Sequence, residues 1–440
     1  MNRQCRKTLV VAVSFTLLTL ALACVLSPIS WSPDGRWIAL TCWREEKKGD
    51  QEQNYSELWL VSPRPIERRR LFVTPGTMLG GPTWSPDGKG IYVVDLPSEK
   101  TSGPAVLRFV PLDGQQRAVV SSPVKEEAGG AALAAPAISP DGKKIAFIRD
   151  KANVVVATIE GRIERVIEGG EPGTVAWAPD GRWLAVVSGG DQNLAIQFFD
   201  TQSSESLILD MRYRSLAWLP DGKRYVALKG QSGDTKQKPS IAVLEGIATR
   251  REAASLDLDV KVAGPLVPSR KGDAVFFARE EEGDQSPGIC KLDLGNGKLQ
   301  TIYETPGPVV AWSVSPDGRS LAFRESAIGK DSGGDSFVGV LDLTTTTEPI
   351  YLAVDDKQWA AAIKGYTDEL KKAEAGKMTL KEEKAAGLAI TQAERFLAAF
   401  RRDFPNSPLL AEATAAVKQA RAALKEAGVS LSPGGGTTRW

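Results

Sequence analysis

One short phrase recurs along the chain and limits its fold more than any other feature. Trp31-Ser32-Pro33-Asp34-Gly35-Arg36 is followed by Trp84-Ser85-Pro86-Asp87-Gly88-Lys89, then by Ile138-Ser139-Pro140-Asp141-Gly142-Lys143. Trp177-Ala178-Pro179-Asp180-Gly181-Arg182, Trp218-Leu219-Pro220-Asp221-Gly222-Lys223 and Val314-Ser315-Pro316-Asp317-Gly318-Arg319 complete the clear copies. A degenerate seventh, Ser269-Arg270-Lys271-Gly272-Asp273, sits in the long gap before the last. The phrase spells a turn. Proline presets φ for the second position of a type I turn, aspartate suits the third, and glycine takes the left-handed conformation that closes a hairpin.

Each turn leads into a strand, as in Trp37-Ile38-Ala39-Leu40, Ile91-Tyr92-Val93-Val94, Ile145-Ala146-Phe147-Ile148 and Ala274-Val275-Phe276-Phe277. A further strand follows in most units, as in Glu57-Leu58-Trp59-Leu60-Val61 and Phe337-Val338-Gly339-Val340-Leu341-Asp342, and a shorter one often ends the unit, as in Arg70-Leu71-Phe72-Val73. With the stretch entering the turn, each unit holds four short antiparallel strands. Units spaced by about 40 to 54 residues match the period of propeller blades. Seven of them between Leu26 and Ala353 predict an all-β, seven-bladed β-propeller. Trp31, Trp84, Trp177 and Trp218 read as packing between blades, because large aromatics dominate such cores.

The Trp-Ser-Pro-Asp-Gly-Lys/Arg phrase followed by Ile-Ala-Phe resembles the repeat of TolB-type (WD40-like) β-propellers, over about three quarters of the chain. The resemblance implies that the motif aspartates shape turns and carry no chemistry. TolB itself carries an α/β domain before its propeller, whereas here the first blade begins almost at Cys24; a relative with a different role is expected. Propellers of prolyl-oligopeptidase-like peptidases share a similar repeat. Their catalytic domain needs a G-x-S-x-G elbow and a histidine, and this chain has neither.

The ends of the chain differ from its middle. Arg3, Arg6 and Lys7 precede the apolar run Leu9 to Leu22, and Ala21-Leu22-Ala23 is an A-x-A cleavage pattern, so residues 1–24 read as a secretion signal. The Leu-Ala-Cys end of that run resembles a bacterial lipoprotein signal, which implies a lipid on Cys24; ordinary cleavage and a retained anchor are the alternatives. Cys42 and Cys290 fall in different, non-adjacent blades and are expected as buried thiols. After Thr344-Thr345-Thr346-Thr347 the composition turns to Ala, Lys and Glu. Asp356 to Ala375 reads as a helix with Trp359, Ile363, Tyr366 and Leu370 on one face and Gly376 as its cap. Thr379 and Glu382 form a capping box for a second helix to about Arg402, with Leu388, Phe396, Leu397 and Phe400 as its apolar face. Ser407 and Pro408 open a third that ends near Gly428. Ala393-Glu394-Arg395-Phe396-Leu397 through Phe404-Pro405-Asn406-Ser407-Pro408 and Ala411-Glu412-Ala413 resembles a tetratricopeptide hairpin. The expected organisation is a signal over 1–24, a propeller over 25–353, a helical tail over 354–428 and a flexible end over 429–440.

Composition narrows the function. With 55 basic and 54 acidic residues the formal charge is +1, which gives no electrostatic reason to expect nucleic acid. The complete absence of histidine removes Ser-His-Asp and Cys-His devices and His-ligated metal sites. Glu280-Glu281-Glu282 and Asp355-Asp356 read as solvated loops. The sequence therefore predicts a non-enzymatic binding or scaffolding protein of the bacterial envelope. It would be exported to the periplasm or outer surface, meet the membrane only through Cys24, and take an envelope protein or peptide as partner. No catalytic, cofactor or metal residues are assigned. The alternative is a propeller enzyme, or an accessory domain related to the peptidases but without their catalytic part.

Overall fold

The computed structural model describes residues 29–48, 51–97, 105–113, 117–122, 136–149, 153–168, 172–188, 195–203, 205–209, 213–230, 238–281, 286–325, 337–345, 348–371 and 380–429. The expected signal over residues 1–24 with Cys24, and Gly376, Thr379 and residues 430–440, lie outside them.

The strands form seven antiparallel sheets, each built from consecutive segments of chain. Blade 3 shows the plan: Ala137–Ile138 innermost, then Lys144–Arg149, Asn153–Thr158, and Ile163–Glu168 outermost. Blade 2 departs from it in having its inner strand split into Thr77–Leu79 and Thr83–Trp84. Blade 1 departs in the length of its central hairpin, Ile38–Lys48 paired with Gln51–Pro63. Because consecutive strands alternate in direction, the motif turns and the turns between third and outer strands share one end of the ring.

The second strand of each blade has both faces buried, which is why it reads as a nearly unbroken apolar run. Ile38 and Leu40 pack toward blade 7, whereas Ala39 between them packs toward blade 2. That follows from the two-residue side-chain period of a strand. Seven apolar clusters result, one at each seam between neighbouring blades.

All seven turns form as the motif predicts, the degenerate one included. The glycine φ angles are 72°, 70°, 71°, 70°, 68°, 69° and 72° at Gly35, Gly88, Gly142, Gly181, Gly222, Gly272 and Gly318. Each glycine N–H donates to the carbonyl three residues back, at 2.8–3.1 Å. The turns also touch one another. A methyl group on Gly88 would meet Pro33, and one on Gly142 would meet Pro86, each time the proline of the preceding turn. The same holds for Gly181 on Pro140, Gly222 on Pro179 and Gly272 on Pro220. Gly318 meets Arg270, and Gly35 meets Pro316, which brings the series back to its start.

The tryptophans fasten the ring from inside. Trp31, Trp84, Trp177 and Trp218 each donate Nε1–H to a backbone carbonyl of the preceding blade: Ser313, Ser30, Ala137 and Ala176, at 3.0, 3.0, 3.0 and 3.3 Å. No strand crosses from blade 7 into blade 1 among the described residues; each blade is continuous in sequence. Their seam is held by Trp31 on Ser313, by Arg324 donating to the Thr41 carbonyl at 3.1 Å, and by one apolar cluster.

Three helices follow among the described residues: α1 (Asp356–Leu370), α2 (Leu380–Asp403) and α3 (Leu409–Glu426). Just before α3, Ser407 Oγ accepts the Leu409 N–H at 3.2 Å. At the other end of α3, Gly428 takes φ 84° and its N–H donates to the Lys425 carbonyl. Val429 N–H donates to the Leu424 carbonyl, completing a Schellman motif in which buried Val429 joins the same core as Leu424.

The helices are not a free appendage. Trp359, Ile363, Tyr366, Phe396 and Phe400 are fully buried in one cluster with Phe337, Tyr351 and Phe323 of blade 7. Phe396 is its hub, with ring centroids 4.2 Å from Phe337, 5.0 Å from Tyr351 and 5.4 Å from Trp359.

Candidate functional site

The motif carboxylates are taken up by the turns. Ser32 Oγ donates to Asp34 Oδ1 at 2.5 Å and accepts the Trp37 N–H at 2.8 Å, while Asp34 also accepts the Arg36 N–H at 3.0 Å. The same arrangement recurs at Asp87, Asp141 and Asp317. The serine hydroxyl, with the backbone N–H second, holds these four carboxyls below the usual carboxylate range.

A slot opens at the seam between blades 2 and 3, one of three seams without a tryptophan fastener. Blade 3 carries Ile138 where blades 1, 2, 4 and 5 carry tryptophan, so the fastening bond to blade 2 is missing. Blade 2 carries Gly90 where blades 1 and 4 carry Trp37 and Trp183. It also carries Tyr92 where blades 1, 3, 4 and 7 carry Ala39, Ala146, Ala185 and Ala322. The Phe109 ring lies over Gly90, so close that a methyl group there would stand 2.4 Å from Cζ. Phe109 pairs with Tyr92 at 4.8 Å between centroids. A cleft of about 770 Å³ results on the turn face, walled by Tyr92, Phe109, Leu112 and Ile159. Exposed Asp87, Asp113, Asp141 and Lys89 line it as well.

A second group of polar side chains joins the helices to three blades. Gln392 and Arg395 of α2 reach Tyr303 on the outer strand of blade 6, at 3.4 and 3.2 Å. Further along the helix Arg402 donates to the Tyr351 carbonyl of blade 7 at 2.9 Å. At its last residue, Asp403 pairs with Arg68 on the outer strand of blade 1. Arg68 also donates to the Ala353 carbonyl and lies over the Phe404 ring at 4.9 Å. The helix thus straps blade 7 to both neighbours. Asp355 pairs with Arg44 of blade 1 at 2.8 Å, and Asp356 accepts the Ser407 hydroxyl at 2.8 Å. These two acids are joints, not the solvated loop that the sequence suggested. Long-range partners, invisible in the local charge run, take them out of that role. Glu280 and Glu281 are exposed.

Beneath the strap Glu325 is completely buried. It accepts the Tyr366 hydroxyl at 2.5 Å and the Gly307 N–H, while Oε2 has no hydrogen-bond partner among the described residues. Burial outweighs these bonds and pushes its carboxyl up to about 8, so it stays protonated at neutral pH.

The sequence assigned no catalytic, cofactor or metal residues. Among the described residues no three Cys, Asp or Glu side chains gather as a metal site. Cys24 lies outside the described residues, and Cys42 and Cys290 are buried in blades 1 and 6, with no disulfide between them. The sequence reading missed both the slot and the strap. Aligning the copies shows Gly90 and Tyr92 in blade 2 beside Ile138 in blade 3, but each of these positions also varies in other blades, so the slot needed the structure to be seen. No sequence signal marks Arg68 and Asp403, which stand 335 residues apart.

Residues 108–206 match the lipoprotein LpqB β-propeller domain (Gmad1). No curated protein matches the chain. Among solved structures, the chain is similar to hydrazine synthase of Kuenenia stuttgartiensis, with 19% identity over 60% of this chain and 76% of that one, at a TM-score of 0.46. It is also similar to the β-propeller domain of the Trilobed protease from Pyrococcus furiosus, a propeller described as having an open velcro topology. There the identity is 14% over 74% of this chain and 98% of that one, at 0.50. For the tricorn protease the values are 11%, 92%, 42% and 0.48. The match to the Trilobed protease propeller, at 14% identity, shows a shared fold and nothing of activity.

Proposed function

We propose that the protein is a non-enzymatic binding or scaffolding module of the bacterial cell envelope, and that the turn-face slot between blades 2 and 3 is where it binds. The observation that carries this reading is the slot itself. It is a concave, largely apolar cleft with a few convergent charged groups, at the seam where the repeat gives up its packing residues. Packing alone gives no reason for Gly90, Tyr92 and Ile138 to coincide. The helices occupy blade 7 and its neighbours and leave this seam untouched.

The apolar run before Cys24 and the lipoprotein-domain match support export and an envelope location, with a lipid on Cys24 as the tether. The TolB-like repeat and the tetratricopeptide-like hairpin belong to the same reading. Few residues separate Cys24 from blade 1, so a lipid there would hold the ring close to a membrane.

The test compares the intact protein with Ile159→Trp, which fills the slot from its wall, in cross-linking pull-downs from envelope extract. An envelope protein retained by the first and lost by the second is expected. Identical partner lists for the two would remove the slot from the proposal. Deleting the helices would be a poor control, since it strips the cover from blade 7.

A further inference from the structure

We propose that Glu325 makes the docking of α1 and α2 on blade 7 sensitive to pH: the helices are held while its carboxyl carries a proton, and their hold weakens as the solution turns mildly alkaline. This goes beyond the slot and does not depend on what binds there.

Glu325 ends the second strand of blade 7, where the two helices cover that blade. Strand pairing on both sides, to Val309 and to Phe337, fixes its backbone. Its side chain is joined to α1 by the Tyr366 hydroxyl, itself completely buried. The Gly307 N–H, from the segment entering blade 7, is the second donor. Among the described residues Oε2 has no partner, and Trp359 Nε1 on α1 and Gln392 Nε2 on α2 are buried without partners as well. A neutral carboxyl tolerates such a shortfall, whereas an ionised one needs donors or a counter-charge.

The charges around this site are already engaged. Arg395 of α2 is the cation that acts on Glu325, but its guanidinium is held by Glu348 at 2.6 Å and by the Tyr303 hydroxyl at 3.2 Å. Arg324, next on the strand, donates to the Thr41 carbonyl of blade 1. Glu304 of blade 6 pairs with Arg279 at 3.1 Å, and on α1 Lys364 pairs with Asp368 at the surface. Burial keeps the Tyr303, Tyr351 and Tyr366 hydroxyls protonated well past neutral pH, so they add no charge. Burial also raises the Glu325 carboxyl from its ordinary 4.5 to about 8. Between these values the acid is protonated when docked and ionised when exposed, so undocking releases a proton. Docking therefore weakens with each step from pH 4.5 to 8 and levels off above. The strand is pinned by its neighbours and the helices are attached through side chains, so the helices are the part that yields. Because α2 carries Asp403, what loosens it slackens the strap on blade 1 too.

The test is hydrogen exchange on the full chain from pH 5 to pH 9.5, with each amide's protection corrected for the intrinsic effect of pH. Protection in α1 and α2 should fall at least about tenfold from pH 5 to pH 8, while that of Ala195–Asp200 in blade 4 stays level. In Glu325→Gln, which keeps the shape but cannot ionise, helix protection should stay level too. Tyr366→Phe removes a donor that favours the charged form, so it should carry the decline to higher pH; this variant keeps the test decisive if the first folds poorly. Level helix protection in the natural chain, or an equal decline in Glu325→Gln, would overturn the proposal. So would a loss of protection in blade 4 together with the helices, or a decline in Tyr366→Phe that ends where the natural chain's does.

Discussion

Glycine at the close of each turn has two tasks, a left-handed backbone and a contact with the turn before it. Gly142 shows both, with φ 71° and a would-be Cβ 3.1 Å from the Pro86 ring. Gly142→Ala should therefore lower stability by about 1–2 kcal/mol, read from urea unfolding. Gly387, inside α2 with open space around it, should respond the other way, Ala gaining roughly 0.5–1 kcal/mol. Glu325 and the turn aspartates respond oppositely to pH. The turn carboxyls are held below their ordinary value, so their stabilisation is present at neutral pH and fades as pH falls through the acid range. Glu325 holds a proton up to about pH 8, whereas the unfolded chain releases it near 4.5, so its burial costs more with each step from pH 4.5 to 8. Glu325→Gln should raise the melting temperature at pH 8, change it little at pH 4.5, and flatten the dependence between.

Hairpins and helices were legible because their signals are local. The turn phrase fixed the start of every second strand, and its loss of proline and aspartate in blade 6 did not matter, since Gly272 still supplied the left-handed position. The apolar face of α1 was read correctly, and that of α2 at Phe396, Leu397 and Phe400, whereas Leu388 is only half-buried and Ile390 takes the buried place. What those faces cover was not legible, because the period of a helix says that one side is apolar and nothing about its partner. The strap is the extreme case, since its charges lie at opposite ends of the propeller sequence. Asp403 is almost fully buried and Arg68 largely so. Asp403→Asn should cost about 3 kcal/mol in urea unfolding, because Arg68 would be left without its counter-charge. Hydrogen exchange should quicken first in the strands of blades 1 and 7.

For the whole molecule, the seven seams are the units of stability and they are not alike. Four carry a tryptophan fastener, one of them, between blades 7 and 1, lying under the strap as well; one carries the slot, and two have neither fastener nor slot. Ending the chain at Val354 would uncover Phe337, Tyr351 and buried Glu325 at once. Such a truncation should aggregate or lose its single cooperative transition, which light scattering and calorimetry would show. The fold class was legible at this scale because a repeat multiplies a weak signal sevenfold. The slot was not, because it arises from three residues of two adjacent repeats that depart from their counterparts.

Arg68 emerges from the ribosome long before Asp403 does. Until α2 is made, the seam between blades 7 and 1 has only its own contacts, Trp31, Arg324 and one apolar cluster, to hold it. The strap therefore reaches the closing seam only after all seven blades have been made.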